Sequence, residues 1–175
     1  MSTVYVALGA NIGNRQANLR MALRAMTRMA RVQAVSSLYE SEPEDGAEQP
    51  AYYNAVCRIE TGLEPLPLLR FLKGLEHEVG RRRTAEPAGP RPLDLDILML
   101  DDRVVESDSL MVPHPRMEAR AFVLQPLAEI APDVVVPGTG ETASALAKKV
   151  GTVGVRRIAE AGWDGVAGAP QHMRL

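Results

Sequence analysis

The sequence predicts an α+β fold of ferredoxin-like type, an α/β sandwich in which helices pack on one face of a mostly antiparallel sheet. Two observations lead there. Apolar runs of strand length and stretches of helical periodicity follow one another as β-α-β-β-α-β, with two strands adjacent in sequence. No internal repeat and no linker divides the 175 residues, which reads as a single domain over 1–175 with a core of its own. Separately, the Gly-rich phosphate-binding fingerprints fail, so any nucleotide must be held by some other architecture. Gly138-Thr139-Gly140-Glu141-Thr142-Ala143 has the G-x-G-x-x-A spacing, but Pro137 disrupts the strand-to-turn junction and Glu141 would put negative charge where a pyrophosphate should lie. No G-x-x-x-x-G-K-[ST] occurs.

Thr3 to Leu8 is apolar and β-rich, a buried first strand that runs into a Gly/Asn turn over Gly9 to Asn14. Asn14 suits an N-cap, and Leu19, Ala22, Leu23 and Met26 recur at helical spacing behind it. Val32 to Tyr39 reads as one strand, the polar, acidic stretch Glu40 to Pro50 as a long loop, and Tyr53 to Glu60 as a third strand. Pro65 opens a helix with Leu68, Leu72, Leu75 and Val79 on one face and Gly80 at its end. Arg81 to Pro92 is a basic, Pro/Gly-rich loop before a strand that begins near Leu93. A hairpin through Asp101-Asp102 into Val104-Val105 follows, then a short helix around Met117 to Leu124. Residues 138–175 read as a poorly defined extension with a helix from Ser144 to Val150.

Composition narrows the function. The net charge of -2 gives no basic field of the kind nucleic-acid binding uses. Cys57, the single cysteine, lies in an apolar run and reads as a small buried hydrophobe. There is no targeting signal at the N-terminus and no apolar stretch of about 18 residues, so a cytoplasmic protein that leaves membranes alone is expected.

The chemistry concentrates in Leu93-Asp94-Leu95-Asp96-Ile97-Leu98-Met99. Strand alternation puts Leu93, Leu95, Ile97 and Met99 on one face and Asp94 and Asp96 on the other, with the two carboxylates roughly 6.5 Å apart. Two parallel carboxylates are costly to hold unless cations neutralise them; the plain alternative is an edge strand with a solvated face. Arg81, Arg82, Arg83 and Arg91 border the loop before this strand, and guanidinium groups bind phosphate bidentately. A pair of hard divalent ions with phosphate oxygens in their shells therefore suits the aspartates. His114, stiffly held between Pro113 and Pro115, suits a hydrogen bond to phosphate or substrate, and Arg120 and Phe122 follow at a spacing that can face the same cleft. Tyr52-Tyr53-Asn54 offers aromatic faces and an amide, a match for a flat heterocycle, although ordinary core tyrosines read the same way.

The run Gly89-Pro90-Arg91-Pro92-Leu93-Asp94-Leu95-Asp96-Ile97 resembles the signature of the 6-hydroxymethyl-7,8-dihydropterin pyrophosphokinase family of folate biosynthesis. Leu8 to Gly13, Ser36 to Tyr39, Gln49 to Ala55, Glu76 with Gly80-Arg81, Val112 to His114 and Arg120 to Leu127 resemble it too, over about Val4 to Pro137. The resemblance implies pyrophosphate transfer from ATP to the hydroxymethyl group of the reduced pterin, leaving AMP. It also implies two Mg²⁺ ions on Asp94 and Asp96, with Arg81 and Arg91 stabilising phosphate charge. By the same carry-over His114, Arg120 and Ile97 meet ATP. Tyr52 and Phe122 sandwich the pterin, and Asn54 reads its polar edge with help from Asp94 and from the Ser41 to Glu44 loop. Ala88 replaces a tryptophan frequent in the family, and Pro115 a tyrosine. The partners this implies are the small-molecule substrates ATP and 6-hydroxymethyl-7,8-dihydropterin, with no nucleic acid and no membrane, and a monomer is expected, with a dimer as the alternative. Two rival readings are a non-catalytic nucleotide- or pterin-binding protein on the same scaffold, and a metal-dependent phosphodiesterase or nuclease. The first would want the aspartates lost, and the second further carboxylates and a basic groove.

Overall fold

The computed structural model describes residues 1–44, 46, 48–80 and 90–167. Its elements in chain order are β1 (Ser2–Ala10), α1 (Arg15–Met26), β2 (Arg31–Val35), β3 (Leu38–Ser41), β4 (Tyr52–Thr61), α2 (Pro65–Glu78) and β5 (Asp94–Leu100). They are followed by β6 (Val105–Glu106), β7 (Met111–Val112), α3 (Ala121–Ile130), α4 (Ala143–Val150) and β8 (Val155–Ala159). Among the described residues the main sheet runs β5-β1-β4-β3-β8, with β2 also beside β4, and its pairings are antiparallel.

Period-2 alternation builds two cores. Val4, Val6, Leu8, Cys57, Ile59, Leu95 and Ile97 meet Leu19, Leu23 and Met26 of α1 and Leu68, Leu72 and Leu75 of α2 on one face. Tyr5, Val56, Leu98 and Met99 meet α3 and α4 on the other. Helices thus cover both faces, not the one expected, because the apolar stripes of α3 and α4 need a second apolar surface to bury. Asn14 caps α1 as anticipated, its side chain accepting from the Ala17 N–H at 3.1 Å.

Several expected boundaries change, each for a physical reason. The single strand over 32–39 splits at Ser36-Ser37. Ser36 Oγ accepts from the Val56 N–H at 3.0 Å, and the Ser36 carbonyl turns to accept from Trp163 Nε1 at 2.8 Å. Glu40 and Ser41 belong to a strand rather than the loop, since β8 pairs with β3 on its far side and Arg156 meets the Glu40 carboxylate at 2.9 Å. β8 itself, in a stretch that offers no motif, is a charged edge strand without apolar alternation. β6 pairs with β7 instead of folding back on β5. The helix expected over 117–124 is a short 3₁₀ turn at Met117–Ala119 followed by α3.

Tyr5 pairs with Met99 but Val6 with Ile97, so Leu98 is an extra residue in β5. Past this bulge the alternation flips, and Met99 lies with Tyr5 and Leu98 rather than with Leu95 and Ile97.

Candidate functional site

A cleft of about 380 Å³ opens on the sheet face that carries Asp94 and Asp96. Its floor follows from register. Asp94 on β5 is opposite Gly9 on β1, which is opposite Asn54 on β4, while Asp96, Ala7 and Val56 form the next row. Strands lie about 4.8 Å apart, so the Asp94 and Asn54 backbones are on the order of 10 Å apart, with side-chain-free Gly9 between them. A methyl group on Gly9 would come within 3.5 Å of Asn54 Oδ1 and 3.6 Å of a Tyr52 ring carbon. Glycine therefore keeps a trough open between carboxylate and amide.

The walls bring together most of the expected residues. Ser41 is the last residue of β3 and Glu44 lies on the loop after it, Tyr52 and Asn54 come from β4, and Arg91 from the approach to β5. His114 and Arg120 lie on the segment after β7, and Phe122 on the first turn of α3. Ile97 is the exception: its side chain is 3 % exposed in the α1/α2 core, because strand alternation turns it away from Asp96. As a side-chain contact to ATP it is withdrawn. Arg81, together with Arg82, Arg83 and Ala88, lies outside the described residues.

Hydrogen bonds fix these groups before any ligand arrives. Asn54 Nδ2 donates to Ser41 Oγ at 2.7 Å in a buried contact, so the Ser41 hydroxyl orients the amide. Arg120 meets Glu44 at 2.9 Å and stands 5.5 Å from the Phe122 ring centroid. The backbone N–H of Arg116 donates to His114 Nδ1 at 3.3 Å, which leaves Nε2 to carry the proton. Burial, followed by the Arg120 and Arg116 charges, lowers the His114 pKa, so at neutral pH it is an uncharged imidazole and donates one hydrogen bond.

The carboxylates are under the opposite pressure. Burial first, then the Asp94 charge, raises the Asp96 pKa, and Lys73, Arg120 and Arg91 offset this only in part. Arg91 meets Asp94 at 3.3 Å. Glu76 of α2 is likewise raised by burial, with Lys73 opposing. Among the described residues no three His, Cys, Asp or Glu side chains gather into one group.

Three participants were not foreseen in these roles. Lys73 lines the cleft, and Glu76 receives the Leu95 N–H. A readable signal existed, since Glu76 falls on the apolar stripe of α2 and Lys73 lies three residues before it. Asn11 is the third, fully buried after β1. Its Nδ2 donates to Gln49 Oε1 at 2.8 Å and its Oδ1 accepts the Arg91 N–H at 2.7 Å, so one side chain ties the acidic loop to the approach of β5. Asn11→Ala would orphan the Arg91 N–H and is expected to cost about 1–3 kcal/mol of stability. Urea unfolding measures this, and an unchanged midpoint would refute the tie.

Comparison with known proteins gives one consistent likeness. Residues 5–132 match the family described as 7,8-dihydro-6-hydroxymethylpterin-pyrophosphokinase. The chain is 46 % identical over 136 residues to a 2-amino-4-hydroxy-6-hydroxymethyldihydropteridine pyrophosphokinase of Pseudomonas aeruginosa, covering 77 % of this chain and 83 % of that one. Identity is 43 % over 141 residues to the protein of the same name in Haemophilus influenzae, covering 79 % and 88 %. A Folic acid synthesis protein fol1 of Pneumocystis carinii is 42 % identical over 151 residues, covering 84 % of this chain but 20 % of that protein. The chain thus spans about a fifth of the length of the fungal protein and most of the bacterial ones. In fold, it superimposes on a Plasmodium falciparum HPPK-DHPS solved with pterin and p-hydroxybenzoate, with a TM-score of 0.71 at 14 % identity over 90 % of this chain and 45 % of the other.

Proposed function

The chain belongs to the 7,8-dihydro-6-hydroxymethylpterin-pyrophosphokinase family, and from that premise we propose that it transfers pyrophosphate from ATP to 6-hydroxymethyl-7,8-dihydropterin in folate synthesis. The observation that carries this reading is the cleft floor, where a carboxylate pair and a buried amide face one another across a bare glycine. The two ends suit two substrates: a metal-bound polyphosphate over Asp94 and Asp96, and a flat heterocycle over Asn54.

Asp94 and Asp96 would hold two Mg²⁺. The fit rests on Asp96, whose charge is held against burial and against Asp94 with incomplete compensation from nearby cations. When bound, the ions supply charge neutralisation for the phosphates and acidify the attacking hydroxyl. The protein's own groups do the rest. Arg91 and Arg120 offer guanidinium donors to the phosphate oxygens, joined in this proposal by Arg81, and neutral His114 adds a single Nε2–H donor. Tyr52 and Phe122 flank the pterin ring. Asn54, steadied by Ser41, pairs with the ring's polar edge. The pterin hydroxymethyl oxygen attacks the β-phosphorus and releases its proton to solvent, the bond from that phosphorus to the α–β bridging oxygen breaks, and AMP departs with that oxygen. Alignment and charge neutralisation carry the rate, as in other phosphoryl transfers.

Residues 1–175 act in this reading as one pyrophosphokinase domain. That domain acts on its two small-molecule substrates as a monomer. The need for ATP argues for a cytoplasmic place of action. Among the described residues no helix is long and apolar enough to cross a membrane. The direct test is AMP release on mixing the protein with ATP, Mg²⁺ and 6-hydroxymethyl-7,8-dihydropterin. Pterin-dependent AMP is expected; folded, ATP-binding protein that forms none would replace catalysis with binding alone.

A further inference from the structure

β5 closes one end of the sheet, so every second residue along it turns its backbone groups away from β1. Leu95, between the two aspartates, is one of these. Glu76 Oε1 accepts its N–H at 2.8 Å, and Lys73 Nζ donates to its carbonyl at 3.3 Å. The two α2 side chains are joined to each other at 3.1 Å. Together they do for Leu95 what a neighbouring strand does elsewhere, meeting its donor and its acceptor at once.

This arrangement is costly. The Glu76 side chain is 3 % exposed, on the same helix stripe as Leu72 and Leu75. An apolar residue of similar volume there would often be no worse for stability. What it could not do is hold the N–H of Leu95. Asp94 and Asp96 flank that residue directly, so any turn of its peptide planes re-aims one carboxylate against the other.

We propose that Glu76, held by Lys73, is a positioning residue that fixes the mutual aim of Asp94 and Asp96 by gripping the backbone of Leu95. The proposal rests on the pyrophosphoryl-transfer reading for its kinetic part only. Outer-shell partners of metal ligands typically affect affinity or activity by about 10–100-fold.

The test compares wild type, Glu76→Ala and Glu76→Gln by steady-state kinetics and by hydrogen exchange at the Leu95 amide. Glu76→Ala is expected to lower kcat by about 10–100-fold with KM for the pterin nearly unchanged. Its Leu95 amide should exchange faster while amides of β4 stay protected. Glu76→Gln, which keeps the acceptor oxygen, should restore the protection and most of the turnover. Wild-type turnover in Glu76→Ala, or equal losses in both variants with Leu95 still protected, would overturn the proposal. Should Glu76→Ala fail to fold, Lys73→Met removes the more exposed half of the grip. A fall in kcat that Lys73→Arg recovers supports the proposal, and wild-type kcat in Lys73→Met sinks it. The two readings separate cleanly. Absence of AMP from wild type counts against the reaction, whereas an unchanged Leu95 exchange rate in Glu76→Ala counts against the grip whatever the wild type does.

Discussion

Asp96→Asn is expected to abolish turnover, by about 10³-fold or more, while making the metal-free protein more stable at neutral pH. The two effects have one cause. Burial and the neighbouring Asp94 charge raise the Asp96 pKa more than Lys73, Arg120 and Arg91 lower it. A carboxyl whose folded pKa lies above its unfolded value favours folding only while protonated. That contribution is fully present below the ordinary carboxylate range and is lost as pH rises through the raised value. Above it, the wild type carries the whole cost of the held charge, and asparagine carries none. Tm should therefore be higher by a few degrees in Asp96→Asn at pH 7–8, and the gap should close on acidification. Adding Mg²⁺ with a non-hydrolysable ATP analogue should reverse the order, since only wild type gains the ligand's full stabilisation. A variant that is active, or less stable than wild type without metal, would remove Asp96 from the metal-binding role.

Asp94 and Asp96 were legible because strand alternation is local: two polar residues two apart in an apolar run must share a face. The same rule misplaced Met99, since a bulge at Leu98 depends on how β1 and β5 meet and leaves no mark in β5 alone. Ile97 shows the limit of carrying a role by position. It sits beside Asp96 in sequence and on the opposite face in space. β8 stayed hidden because the adjacent Arg156 and Arg157 break any apolar alternation, and the strand is stabilised by its partner β3 rather than by its own pattern. The Glu76 grip and the Asn11 tie are long-range bonds, each linking segments far apart in sequence. In both cases the residue type was visible and its partner was not. Tyr52, Asn54 and Ser41 stand between these extremes: their chemistry could be read, but only the pairing of β3 with β4 brings the hydroxyl to the amide.

Arg91→Ala is expected to lower kcat by about 10²–10³-fold while leaving pterin affinity within a few-fold of wild type. The backbone argues that this variant isolates the guanidinium. The Arg91 N–H donates to Asn11 at 2.7 Å and its carbonyl accepts from the Asn11 N–H at 3.0 Å, so the chain path survives loss of the side chain. The guanidinium stands 3.3 Å from Asp94, at the carboxylate end of the trough and across Gly9 from Asn54. In the proposed reaction that end takes the phosphates and the other the ring, and a group that meets charge developing on phosphate lowers the barrier without tightening ring binding. Arg91→Lys should recover only part of the loss, because an ammonium restores the charge but not the planar pair of donors. Measuring kcat, KM for each substrate and pterin affinity by titration separates these cases. Unchanged steady-state rates, or a loss confined to pterin affinity, would move Arg91 from the phosphate to the ring. Full activity in Arg91→Lys would mean that charge alone suffices there.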